Sequence, residues 1–101
     1  MEEIAVKDII LFEGTPTRHV LLRTKFQGDG IKCVGKLEDY ETRLREKGFL
    51  RLQKSYLVNM AYIDKLSGYR AKLRNGMEIK VSRQNYAQIR TQYVMWKGQR
   101  L

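Results

Sequence analysis

Apolar and polar positions along this chain alternate with a period of two more often than they recur at helical spacing, and turn-forming residues separate the alternating runs. Ile4 and Val6, a break at Lys7 and Asp8, and the run Ile9, Ile10, Leu11, Phe12 predict a strand entering a core, ended by Glu13. Gly14, Thr15, Pro16 and Thr17 supply turn chemistry, because glycine tolerates positive φ and proline presets φ. A second strand is expected over His19 to Phe26. Gln27, Gly28, Asp29 and Gly30 then form a hairpin loop into a third strand, Ile31 to Val34. The first third is therefore a short antiparallel meander.

The period changes over Leu37 to Lys47, where Leu37, Tyr40 and Leu44 fall at i, i+3 and i+7, with Gly48 placed to end a helix in the left-handed region. The outer face of this helix mixes Glu38, Asp39, Glu41, Arg43, Arg45, Glu46 and Lys47, so its charges nearly cancel. Phe49 to Asn59, FLRLQKSYLVN, reads as strand, exposed step, strand: Leu50 and Leu52 alternate with Arg51 and Gln53, and Tyr56, Leu57 and Val58 form a buried run. The step lifts Lys54 into solvent. Strands are expected over Tyr62 to Leu66, Tyr69 to Arg74 and Met77 to Val81, with Asn75-Gly76 as a type I′ hairpin turn. Ser82 is placed to cap a last helix, in which Tyr86, Ile89, Tyr93 and Trp96 make a stripe that needs a sheet to pack on. The fold class is mainly β, with one short mid-chain helix and a C-terminal helix.

At 101 residues, without internal repeat, linker or low-complexity segment, residues 1–101 are expected to form one domain. The 20 Lys and Arg against 11 Asp and Glu give a formal charge of +9, which attracts polyanions and makes nucleic acid the leading partner. An anionic membrane is the rival, but MEEIAV offers neither a basic nor an apolar leader segment, and no run approaches spanning length. The single cysteine, Cys33, fits a reducing compartment and a cytoplasmic location. One histidine, no C-x-x-C, no H-E-x-x-H and no glycine-rich phosphate loop leave metal, triad and P-loop chemistry without their parts. No enzyme, cofactor or metal is expected.

The basic residues divide by position. Arg51 and Arg74 lie within strand patterns, whereas Arg18, Lys54 and Arg83 each stand at a break between elements, where side chains project past a sheet. His19 opens a strand beside Arg18 and is placed to donate to a guanine acceptor in the major groove.

The central stretch resembles the core motif of the LytTR family of bacterial DNA-binding domains, F-x-R-x-H-x-S-y-x-V-N. Phe49, Arg51, Ser55, Tyr56, Val58 and Asn59 match it, and Gln53 replaces the usual histidine. DIILFEG is similar to the family's opening, LEDYETRL to its helix and NGMEIKVSRQNYAQI to its closing N-G-x-x-i-x-V-S-R segment. The resemblance implies an elongated sandwich of small antiparallel sheets that binds duplex DNA through loops. It further implies contacts from Arg18 and His19, from Gln53 and Lys54, and from Arg83. The family's longer leading strand implies a domain cut from a longer regulator, whose usual upstream partner is a phosphorylatable receiver domain.

Two functions compete. One is sequence-specific duplex binding by a transcription regulator, the output domain of a two-component response regulator. Arg83 and His19 would read bases, Lys54 and Arg18 would hold phosphates, and two copies would bind direct repeats. The other is a single-stranded nucleic-acid module with aromatics stacked on bases. Tyr56, Tyr62, Tyr86, Tyr93 and Trp96 all fall in apolar patterns that predict core, which favours the duplex. A purely protein-binding domain would leave the charge of +9 unexplained.

Overall fold

Eight strands in two antiparallel sheets and two α-helices make up the computed structural model, which describes residues 4–26 and 30–99. The strands are β1 Ile9–Gly14, β2 His19–Thr24, β3 Ile31–Val34, β4 Phe49–Gln53, β5 Tyr56–Asn59, β6 Ile63–Ser67, β7 Arg70–Leu73 and β8 Glu78–Lys80. The helices are α1 Leu37–Leu44 and α2 Tyr86–Gly98. The larger sheet runs β3-β2-β1-β5-β4 and the smaller β6-β7-β8, within extents of 36 × 30 × 25 Å. The mainly β class read from the pattern is therefore the observed one.

The apolar runs that do not alternate have a physical reason: the larger sheet is covered on both faces. One face packs Phe12, Val20, Phe49 and Leu57 against Leu37, Tyr40 and Leu44 of α1. The opposite face packs Leu11, Leu50, Leu52 and Val58 against the smaller sheet and against Ile89 and Tyr93 of α2. A register shift between Ile9 and Leu11 turns Ile10 and Leu11 to the same core.

Four local expectations change. The break expected at Lys7 and Asp8 is a single 3-10 turn that also takes in Val6, pinned where Lys25 N–H donates to the Asp8 carbonyl at 3.0 Å and the Lys25 ammonium pairs with the Asp8 carboxylate at 3.1 Å. The second strand ends at Thr24 rather than Phe26, and the loop residues Gln27, Gly28 and Asp29 lie outside the described residues. At Asn75-Gly76 only the glycine has positive φ, 91°. The Leu73 carbonyl accepts from Gly76 N–H at 3.0 Å while Leu73 N–H donates to Met77, closing a three-residue loop rather than a type I′ turn. The turn with two positive φ values is Gly68-Tyr69, at 58° and 61° between the paired Ser67 and Arg70.

The last helix docks as its stripe predicts, with one adjustment. Ile89 and Tyr93 are buried, but Trp96 is only half-buried, stacked on Tyr93 with ring centroids 6.3 Å apart. Its indole also covers Gly48, where an added Cβ would meet Nε1 at 3.0 Å and where φ is 85°. Ser82 caps the turn ahead of the helix, accepting from Asn85 N–H at 3.4 Å.

Candidate nucleic-acid interface

The β4–β5 connection is the mechanical centre of the basic surface. The register shifts between Arg51 and Gln53, with Leu52 turned into the core, and Lys54 is exposed in the two-residue turn that follows. Arg51, which the alternation left as an ordinary outward residue, clamps this turn. Its Nε donates to the Gln53 carbonyl at 3.0 Å, its Nη2 to the Lys54 carbonyl at 2.6 Å and its Nη1 to Glu41 of α1 at 2.8 Å. The guanidinium thereby binds carbonyls at the end of β4 and in the turn that follows it.

The same step is tied to two other loops. Gly14 N–H donates to the Ser55 carbonyl at 2.8 Å, joining the turn after β1. Ser82 N–H donates to the Leu52 carbonyl at 2.8 Å, and Gln53 Nε2 to the Lys80 carbonyl at 2.8 Å, joining the segment before α2. Three breaks distant in sequence thus share one hydrogen-bonded base.

Within the first turn, hydroxyls orient His19. Thr15 Oγ1 donates to the His19 carbonyl at 2.7 Å, which uses its proton, so it accepts from Thr17 Oγ1 at 3.0 Å. Thr17 in turn accepts from His19 Nδ1 at 3.1 Å. This relay makes Nε2 of the neutral ring an acceptor, so the expected donation to guanine belongs to the charged ring only. Arg18 is exposed, and its carbonyl accepts from Gly35 N–H at 2.9 Å.

His19, Lys36 and Lys54 line one groove of about 510 Å³ between this turn, the start of α1 and the step. Gln53 and Lys54 line a second of about 290 Å³ with Ser82 and Asn85. Lys54 therefore stands between the two. Arg83 is exposed and lines neither groove, its guanidinium carbon 4.8 Å from the Tyr69 ring centre. Reasoning from sequence missed Lys36, although it stands at a break like the other basic candidates. It also missed the clamp of Arg51 and the platform of Tyr69, neither of which has a local signature.

Among the described residues no group of His, Cys, Asp and Glu is placed to hold a metal ion, and no helix is long and apolar enough to cross a membrane.

Residues 1–93 match the family model of the LytTr DNA-binding domain. Among solved structures, the chain is similar to the LytTr DNA-binding domain of a protein described as a methyl-accepting/DNA response regulator from Bacillus cereus. That match has a TM-score of 0.69 at 18% identity, over 90% of this chain and 84% of the other. At that identity the likeness shows the fold. No curated protein matches the chain.

Proposed function

Because the chain belongs to the LytTr DNA-binding domain family, we propose that it binds duplex DNA at specific sequences through the three linked loops. Arg83 and His19 read base edges, Gln53 contributes the acceptor of its amide, and Lys54 and Arg18 hold phosphates. The observation that carries this reading is the shared base: the step's Ser55 and Leu52 carbonyls receive the N–H groups of Gly14 and Ser82, so the backbones of the loops that bear the cationic side chains are held in fixed mutual positions. Fixed spacing is what a periodic phosphate backbone and its groove edges require of a reader. The aromatic stripe does not form a stacking platform, since Tyr93 is buried and Tyr56, Tyr62, Tyr86 and Trp96 are half-buried against the core.

In this reading residues 1–101 are the output unit of a longer cytoplasmic response regulator, with a receiver domain upstream. Two copies bind direct repeats about one helical turn apart, near 10 to 10.5 base pairs.

Selection of bound sites from a random duplex library tests the proposal, followed by Arg83→Ala on the selected site. A bidentate arginine contact to guanine discriminates by about 1 to 3 kcal/mol, so the variant loses that much on the selected site and little on random duplex. Equal losses on both DNAs would reduce Arg83 to a phosphate contact. Failure to enrich any sequence would refute specific binding.

A further inference from the structure

We propose that Tyr69 is a positioning residue for specificity: a strained turn holds its ring as a plate on which the Arg83 guanidinium lies, aimed for base reading. The proposal rests on the reading of Arg83 given above and names what sets that side chain's geometry.

Tyr69 is the one non-glycine residue with positive φ, 61°, among the described residues. A bulky side chain seldom occupies that region, since Cβ crowds the neighbouring carbonyl. Glycine or asparagine would complete the same two-residue hairpin without that strain. Surrounding contacts hold the tyrosine there. Its carbonyl accepts from Val81 N–H at 2.9 Å, fastening the turn to the residue two before Arg83. Its ring lies 4.6 Å from the Tyr86 ring, at the first residue of α2, and 4.8 Å from the Arg83 guanidinium carbon. The turn, the strand end and the helix start therefore converge on one arginine.

Chemistry explains the choice of an aromatic plate. Among the described residues no carboxylate is paired with Arg83, which keeps its N–H groups from being drawn away from DNA. A ring attracts the flat face of a guanidinium through its quadrupole and leaves the in-plane donors pointing outward. A carboxylate would consume those same donors. The ring thus restricts the long side chain's rotamers without competing for the fork that guanine O6 and N7 accept.

The test measures affinity for the selected duplex and for random duplex, with Tyr69→Asn and Tyr69→Phe. Asparagine tolerates the left-handed conformation but lacks the ring, and phenylalanine keeps the ring. Tyr69→Asn should weaken the selected site about two- to fivefold, the strength of an exposed cation–π contact, with random duplex unaffected. Tyr69→Phe should bind as the native protein does, and adding Tyr69→Asn to Arg83→Ala should cost nothing further. Equal losses on both DNAs, no loss at all, or a loss that persists without Arg83 each overturn the proposal. These outcomes are read on variants whose melting temperature matches the native protein; if asparagine unfolds the turn, Tyr69→His, which keeps a flat ring but carries a weaker cation–π face, takes its place with the same expected selective loss. If Arg83→Ala itself causes no selective loss, the reading of Arg83 fails as well, a result distinct from failure of Tyr69→Asn alone.

Discussion

Replacing Arg51 with methionine removes three hydrogen bonds while keeping most of the aliphatic stem that packs beside α1. Two of the bonds reach backbone carbonyls of the step, at 3.0 and 2.6 Å, and the third pairs with Glu41 at 2.8 Å. Hydrogen bonds to a charged donor contribute about 1.5 to 3 kcal/mol each when well shielded. Here the two side chains are 27% and 33% exposed, so water recovers part of that loss and the ion pair itself contributes only about 0.2 to 1 kcal/mol. The net cost is about 2 to 4 kcal/mol, equivalent to roughly 10 to 25 °C in melting temperature for a domain of this size. Urea unfolding of Arg51→Met beside Glu41→Gln measures it, since the glutamine variant removes the ion pair and leaves the carbonyl bonds. The methionine variant should be at least about 1 kcal/mol worse than the glutamine variant. Equal costs would mean that the clamp on the Gln53 and Lys54 carbonyls contributes nothing.

Lys54→Ala should reduce the slope of log K against log salt by about 0.9, the signature of one lost phosphate contact, and an unchanged slope would remove Lys54 from the interface. Thr17→Val breaks the hydroxyl relay and frees the other tautomer of His19, so selection should show a base preference altered at one position of the site. Tyr40→Phe should flatten the alkaline limb of stability. Burial, with Cys33 adding and Arg43 opposing, raises the Tyr40 phenol above its ordinary 10.0. A raised folded value means that stability is intact below about pH 10 and falls as pH climbs through the folded value. Urea titrations across that range check it, and an unchanged alkaline slope in the phenylalanine variant would exclude Tyr40 as its source.

Much of this fold is legible locally because burial imposes period. The stripe of Tyr86, Ile89 and Tyr93 and the alternation of Leu50 and Leu52 each identify an element without reference to any other. The family motif is legible too, yet most of it proves to be scaffold. Phe49 packs on Phe12 with centroids 5.9 Å apart. Buried Asn59 donates to the Ile9 carbonyl at 2.9 Å and accepts from Ala61 N–H at 3.0 Å. Basic residues at breaks are equally visible, since position alone marks Arg18, Lys54 and Arg83 as projecting.

What the chain's one-dimensional pattern does not contain is which breaks meet. Gly14 and Ser55 are joined by pairing of β1 with β5, across a helix and three strands of intervening chain, and no local preference encodes that register. The Gly68-Tyr69 turn is similar: local preference places a two-residue hairpin at Asn75-Gly76, where one positive φ suffices for a longer loop. Tyr69 instead adopts the disfavoured conformation because Val81 and Tyr86 hold it from outside the turn. Local sequence decides conformations whose cost and benefit fall within a few residues. The site is assembled from contacts between distant residues, and those energies exist only once the sheets have packed.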